Sequence, residues 1–280
     1  MTTTHFAQRS EGRLAYVDQG PSTAPAVLCL PSLGDTRAQY RRIAPRLLDT
    51  GARVLAADLR GHGESDATFA RHDVRDLADD LVAVLDAARV ERAVIAGSSI
   101  SGAAALLAAA RHPERIAGLL LLGPVARDLP LRRVLRPLFR PLFGAPWGPT
   151  LWSAYYRSLF KRHVPEDLDA HRATLRAMLG DRARRHALVE LLRSDRRDVE
   201  QSMSAVRAPV AIVMGSADPD FPDPRAEVAA LERALTATRV RTTTLEGVGH
   251  YPHLEDPDAV LAAYRALVAG ASRTVEGVAS

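Results

Sequence analysis

Short apolar runs alternate along this chain with longer stretches whose apolar residues recur at helical spacing. Residues 27–30, 54–57, 93–96, 118–122 and 210–214 are nearly unbroken apolar segments, and 240–245 is rich in β-branched residues. Segments of that kind are expected of strands buried on both faces. Between them, residues 36–48, 74–88, 100–111, 224–235 and 257 to about 269 read as helices, with Val74, Leu77, Leu81, Val84 and Leu85 on one stripe. Strands alternating with helices predict an α/β fold with a mostly parallel, doubly wound sheet. Partial alternation over 13–20 after Glu11-Gly12 adds an N-terminal antiparallel hairpin.

The alternation lapses between about residues 128 and 206. That stretch carries Trp147 and Trp152, Phe139, Phe143 and Phe160, and the pair Tyr155-Tyr156, among arginine-rich helical segments such as 175–193. Aromatic-rich helices inserted after a strand predict a cap over a pocket. Trp147, Trp152 and Tyr155 are its candidate lining residues. The expected organisation is a core of 1–127 and 207–271, a helical cap of 128–206, and a loose tail of 272–280.

The formal charge of +4 changes little. Lys161 is the only lysine, and between Arg127 and Arg207 there are 17 basic against 9 acidic residues. No zinc-finger, RNP or basic-zipper pattern accompanies the arginines, so they predict a solvated surface and no nucleic-acid partner. Cys29 lies alone in an apolar strand and reads as core. The N-terminus lacks a signal-peptide pattern, and the apolar segments are too short to span a bilayer, so a soluble cytoplasmic protein without membrane association is expected. Monomer and homodimer are equally compatible with the sequence.

Chemistry concentrates at Gly97-Ser98-Ser99-Ile100-Ser101-Gly102, between a predicted strand and a predicted helix. A tight strand–turn–helix lifts a serine out of the sheet, and its flanking positions must be nearly free of side chains. The usual Gly-x-Ser-x-Gly spacing is altered, because Ser101 stands where the second glycine belongs. A serine needs a base, and the base an orienting acid, at the same edge of the sheet. His250 follows the last predicted strand, with His253 and His62 as weaker rivals. Asp218 follows the strand at 210–214, with Asp220 and Asp223 as neighbours.

Taken together, Pro31-Ser32-Leu33, the Ser99 elbow, Gly215-Ser-Ala-Asp218 and Gly249-His250 resemble, in order, the motifs of the α/β-hydrolase fold. The resemblance runs from residue 13 to about 269 and is to serine-nucleophile members with a helical cap. It implies Ser99, Asp218 and His250 as the catalytic triad, with the N–H groups of Leu33 and Ile100 as the oxyanion hole. It also implies that the turn at 58–65, with Arg60 and His62, is structural. Gly123 leaves the alternative acid position of the family without a carboxylate. The implied activity is hydrolysis of a small or medium, mainly apolar ester-like substrate through an acyl-enzyme, with no cofactor and no metal. A perhydrolase or haloperoxidase-like enzyme and a C–C bond hydrolase share that triad, and a ligand-binding or signalling protein can keep the fold with little catalysis.

Overall fold

The computed structural model describes residues 3–276 of the chain. At its centre is a sheet of eight strands: β1 (Thr4–Arg9), β2 (Gly12–Gln19), β3 (Ala26–Leu30), β4 (Arg53–Ala57), β5 (Ala93–Ser98), β6 (Ile116–Leu122), β7 (Val210–Gly215) and β8 (Val240–Leu245). Their order is β1-β2-β4-β3-β5-β6-β7-β8. The N-terminal hairpin pairs antiparallel with itself and with β4, and every other pairing is parallel. The carboxyl ends of β3, β5, β6, β7 and β8 therefore share one edge.

The alternation of side chains along each strand divides the core into two layers. Val27, Cys29, Val94, Ala96, Leu120 and Leu122 face one side. There they meet Leu47 of α1 (Ala44–Leu48) and Val260 and Tyr264 of α11 (Pro257–Glu276). Leu28, Leu30, Ile95, Leu119 and Leu121 face the other, against Leu77 and Leu81 of α2 (Val74–Ala87) and Ala104 and Leu107 of α3 (Ile100–Arg111). This is why the central strands read as unbroken apolar runs. Burial pushes the Cys29 thiol far up from its ordinary range, consistent with a core role.

Three predicted helices differ in the structure. Residues 36–48 form a 3-10 turn, Arg37–Tyr40, and then the short α1. Pro45 is tolerated only in a first turn, so a helix containing it starts at Ala44. The Tyr40 hydroxyl meanwhile donates to the Leu30 and Ala96 carbonyls at 2.9 and 2.7 Å, fixing the turn against the strand ends. The segment 175–193 is broken at Gly180, and Asp181 caps the second piece by accepting from Arg184 N–H at 3.0 Å. The last helix continues to Glu276, past the end expected near residue 269. Of the predicted loose tail, residues 277–280 lie outside the described residues.

Between β6 and β7 run α4 (Pro130–Phe143), α5 (Gly148–Ser158), α6 (Leu168–Met178), α7 (Arg182–Arg193) and α8 (Arg197–Ser202). They form the inserted helical cap. α9 (Pro224–Ala234) separates β7 from β8, and the short α10 (Pro252–Glu255) precedes α11. Among the described residues no helix is long and apolar enough to cross a membrane.

Candidate active site

β5 ends at Ser98, and α3 begins at Ile100, so Ser99 is the whole of the turn between them. Its backbone lies at φ 55°, ψ −117°, a conformation that costs a residue with a Cβ about 1–3 kcal/mol. The surroundings hold it there. Ser99 N–H donates to the Leu122 carbonyl at 3.0 Å, and the Ser99 carbonyl accepts from Gly102 and Val125 N–H at 3.0 and 3.1 Å. A serine at a helix N-cap ordinarily accepts a bond from the first turn; Ser99 makes none, so its hydroxyl is not spent on its own helix. Gly97 permits the sharp return, since a Cβ there would lie 2.6 Å from the Ser101 carbonyl oxygen. Ser101, the departure from the usual pattern, is fully buried and donates to the Pro31 carbonyl at 2.5 Å. The added side chain thus joins the elbow to the loop after β3.

That loop, residues 31–35, is anchored at several points. Ser32 N–H donates to Gln39 Oε1 at 2.9 Å, Gln39 Nε2 donates to Ser32 Oγ at 2.8 Å, and Ser32 Oγ donates to the Tyr251 hydroxyl at 3.0 Å. Asp35, fully buried, accepts from the Tyr156 hydroxyl at 2.6 Å and from His171 Nε2 at 2.7 Å. Burial would raise the Asp35 carboxyl, but the His171 charge and these bonds outweigh it and hold it below its usual value. Leu33 and Ile100 line the same cavity as Ser99. Among the described residues neither of their N–H groups has a protein acceptor.

His250 and Asp218 come from the loops after β8 and β7. His250 Nδ1 donates to Asp218 Oδ2 at 2.7 Å, and both side chains are essentially buried. Gly123 is what lets the pair close: at φ 54°, a Cβ there would lie 2.8 Å from the His250 carbonyl oxygen and 3.3 Å from Nδ1. Burial by itself would make the imidazolium less stable. The Asp218 carboxylate and then Asp220 outweigh it and raise His250 to about 9. Burial likewise pushes the Asp218 carboxyl up, against the pull of His250. Asp220 Oδ2 lies 3.5 Å from Nε2, on the other side of the ring. One donor atom each from Asp218, Asp220 and His250 falls within 4.8 Å. The close pair among them is already joined by a hydrogen bond.

The rivals occupy other places. Asp223 caps α9 by accepting from Arg225 and Ala226 N–H at 3.0 Å each. His253 is buried and stacked on Tyr40 at 5.0 Å, and burial lowers it to about 3. His62 is buried, its Nδ1 2.9 Å from the Arg60 carbonyl, and burial lowers it to about 4. Both stay neutral in ordinary buffers. Arg60 is bonded to Asp80 at 2.6 and 2.7 Å, as befits a structural turn.

Ser99, His250, Leu33, Ile100, Trp152 and Tyr155 all border one cavity of about 50 Å³. Trp152 roofs the β3 loop, its Nε1 donating to the Gly34 carbonyl at 3.3 Å. Trp147 is not part of it: 62% exposed, it precedes α5 and points to solvent. Five residues along a helix rotate a side chain by about 140°, which puts Trp147 off the Trp152 face. The larger hollow, about 610 Å³ and bordered by Arg92, Pro113, Val210 and Arg241, lies at the amino ends of the strands, away from Ser99.

Sequence reasoning missed three residues that organise the site. Glu255 accepts from Gly249 N–H beside His250 and from Lys161, Arg162 and His163 N–H at 2.7–3.3 Å. Asp35 was legible as a polar residue in the β3 loop. Its partner His171 lies 136 positions away, and no local pattern links the two.

The alpha/beta hydrolase fold family matches residues 25–257 of the chain. A pimeloyl-[acyl-carrier protein] methyl ester esterase of Neisseria meningitidis is 31% identical over 265 residues, covering 90% of this chain and 96% of its own. A 2-hydroxymuconate semialdehyde hydrolase of Pseudomonas sp. is 36% identical over 112 residues, 40% of this chain and 36% of its own. The solved structure of a thermophilic esterase from Thermogutta terrifontis superposes with a TM-score of 0.78 at 22% identity, over 97% of this chain and 99% of that one. The chain belongs to the alpha/beta hydrolase fold family and is a hydrolase.

Proposed function

We propose that this hydrolase is a serine esterase that works through an acyl-enzyme on Ser99. One observation carries the reading: a serine held at φ 55° at the head of a helix shares a cavity with a histidine whose Nδ1 is bonded to a buried aspartate. In this reading Ser99 Oγ attacks the ester carbonyl carbon while His250 Nε2 takes its proton. The Ile100 and Leu33 N–H groups hold the oxyanion, and Asp218 steadies the imidazolium. Nε2–H then protonates the departing alkoxide, which leaves as an alcohol. Water repeats the sequence on the acyl-enzyme, releasing the acid and restoring Ser99.

The cavity's size bears on the substrate. At about 50 Å³ it is far smaller than the roughly 300–1,000 Å³ of ordinary ligand pockets. Its walls combine apolar side chains of Leu33, Ile100, Trp152, Leu159 and Leu192 with polar groups of Ser32, Ser99, Tyr155, Asp220, His250 and Tyr251. It accommodates a group the size of a methoxy. A longer acyl chain requires the cap helices to part. A methyl or other small-alkyl ester fits the cavity's size, and the relative named for a methyl ester supports it.

The test is fluorophosphonate labelling with mass mapping of the adduct. Labelling at Ser99 is expected, with loss of about 10⁴-fold or more in Ser99→Ala and His250→Ala. Methyl and p-nitrophenyl esters of graded acyl length then define the substrate. A folded wild-type protein that never labels would leave a ligand-binding protein of this fold as the better reading.

A further inference from the structure

The site holds one more ionisable group than the proposed mechanism uses. Asp220 borders the cavity with its side chain about one-fifth exposed (21%), and its Oδ2 lies 3.5 Å from His250 Nε2. Nε2 is the nitrogen that must take the Ser99 proton, because Nδ1 is committed to Asp218. The other Asp220 oxygen accepts a hydrogen bond from the Tyr155 hydroxyl of α5. No lysine or arginine is among the residues that border the cavity. The imidazole is therefore the cation available to Asp220 there.

We propose that Asp220 sets the working pH of this site by holding His250 in its protonated form in the free protein, so that the base becomes available only in alkaline solution. The inference rests on the reading of His250 as the base for Ser99. An imidazolium between two carboxylates is bonded on Nδ1 by Asp218 and faces Asp220 from Nε2. In that state it cannot accept the serine proton.

The groups facing His250 are accounted for. Asp218 and Asp220 come from the β7 loop. Tyr251 lies 5.0 Å away ring to ring, with its phenol bonded to Ser32 and pushed well above its ordinary range by burial. Tyr155, on the cap, is likewise raised by burial and stays neutral. His253, next to Tyr251 at 6.0 Å, is neutral. From the elbow the cavity receives Ser99, and from α7 it receives Leu192. The two aspartates are thus the charges that bear on Nε2 and Nδ1. An opposite charge within about 4–6 Å moves a pKa by about 1–3 units. Both carboxylates push in the same direction, and His250 is raised to about 9 despite its burial.

The sign is unusual for a carboxylate in an active site. Asp220→Asn removes one counter-charge, so the base loses its proton at lower pH and activity near neutrality rises. Residue 220 also donates its backbone N–H to Asp218 Oδ1 at 2.9 Å, a bond that survives any change of its side chain. The orientation of Asp218 is therefore kept in the variant.

The experiment compares wild type, Asp220→Asn and Asp220→Glu in two readouts. The first is the pH profile of kcat/KM on a neutral p-nitrophenyl ester, together with the rate of fluorophosphonate labelling. The expected result is an alkaline limb in wild type and in Asp220→Glu, displaced by about one to two pH units toward acid in Asp220→Asn. Labelling of that variant at pH 7 rises about tenfold or more. An unmoved limb, or a loss of activity equal at every pH, would overturn the inference and make Asp220 a substrate-positioning group. The second readout is the imidazole titration of His250 by proton NMR in Ser99→Ala protein, which needs no turnover. A titration that moves when Asp220→Asn is added supports the Asp220–His250 coupling even if no ester is ever cleaved. A titration that stays in place refutes the coupling even in an active esterase.

Discussion

The carboxyl edge of the sheet and the helices that cover it are held by different means. At the elbow, position is a matter of backbone: Ser99 is clamped between Leu122 and Val125 by main-chain bonds, and Gly97 closes on Ser101 with no room for a Cβ. The cap joins that edge by apolar packing, with Trp152, Leu179, Leu188 and Leu191 in the same buried cluster as the sheet, and by a set of side-chain polar contacts. His171 and Tyr156 bind Asp35, Arg41 binds Asp167, Arg75 binds Asp198, and Glu255 gathers three N–H groups of residues 161–163. Backbone packing responds to volume, whereas ionic contacts respond to pH and charge. The charge-bearing contacts of the cap can thus be altered separately from the backbone contacts of the elbow. The arginine surplus of residues 127–207 belongs to this second region. Arg136 on Asp128, Arg162 on Asp256 and Arg172 on Asp169 are each paired with a carboxylate.

The comparison breaks most severely at Gly97. Gly97→Ala places a methyl 2.6–2.8 Å from the Ser101 carbonyl and Gly102 N, atoms of a helix backbone that cannot step aside alone. A loss of about 3 kcal/mol or more of global stability is expected, read from urea unfolding, along with loss of Ser99 labelling. A variant of wild-type stability would show that the strand–helix approach has slack.

Asp35→Asn tests the other half. Removing the charge leaves His171 facing a neutral amide in a buried site, at an expected cost of about 3 kcal/mol to cap docking. Both tryptophans lie in the cap, so fluorescence reports its release, while far-UV circular dichroism follows loss of secondary structure across the whole fold. The same contact gives a pH dependence with a definite sign. The folded carboxyl of Asp35 is held below its usual value, so its contribution is complete above the unfolded value near 3.9 and is lost as pH falls through the lower folded value. Acidification from about pH 4 downward is expected to shift tryptophan fluorescence before it melts the sheet. Coincident transitions by both probes would dissolve the distinction between the two regions.

What was legible in the sequence follows the same division. Strands with both faces buried, such as Val27–Leu30, announce themselves because every position must be apolar. Ser99, Asp218 and His250 were placed because each sits just past a strand on the edge where the strands end. The cap yielded less. Trp147 and Trp152 look alike in sequence, and only the start of α5 decides which one turns inward. Partners such as Asp35 and His171 meet through tertiary structure, which periodicity does not encode. Asp220 was seen only as a rival acid for Asp218. Its position on the opposite nitrogen of the same ring depends on how the loop of residues 216–223 folds back.

The mildest change is at Ser101, where the two regions' logics meet: a side-chain bond has been added to a backbone-built turn. Ser101→Gly restores the usual spacing and keeps the close approach to Gly97, but the Pro31 carbonyl loses its 2.5 Å donor. A buried acceptor left without a partner costs about 1–3 kcal/mol, offset in part if water reaches it. Because that carbonyl opens the loop carrying Leu33, the loss is expected mainly in the proposed oxyanion hole. We expect kcat to fall about three- to tenfold with KM little changed, and unfolding to shift by about 1 kcal/mol. If kcat instead holds or rises, Ser101 is a filler and the elbow alone positions the β3 loop. If stability falls while kcat holds, the bond belongs to the fold and not to the chemistry.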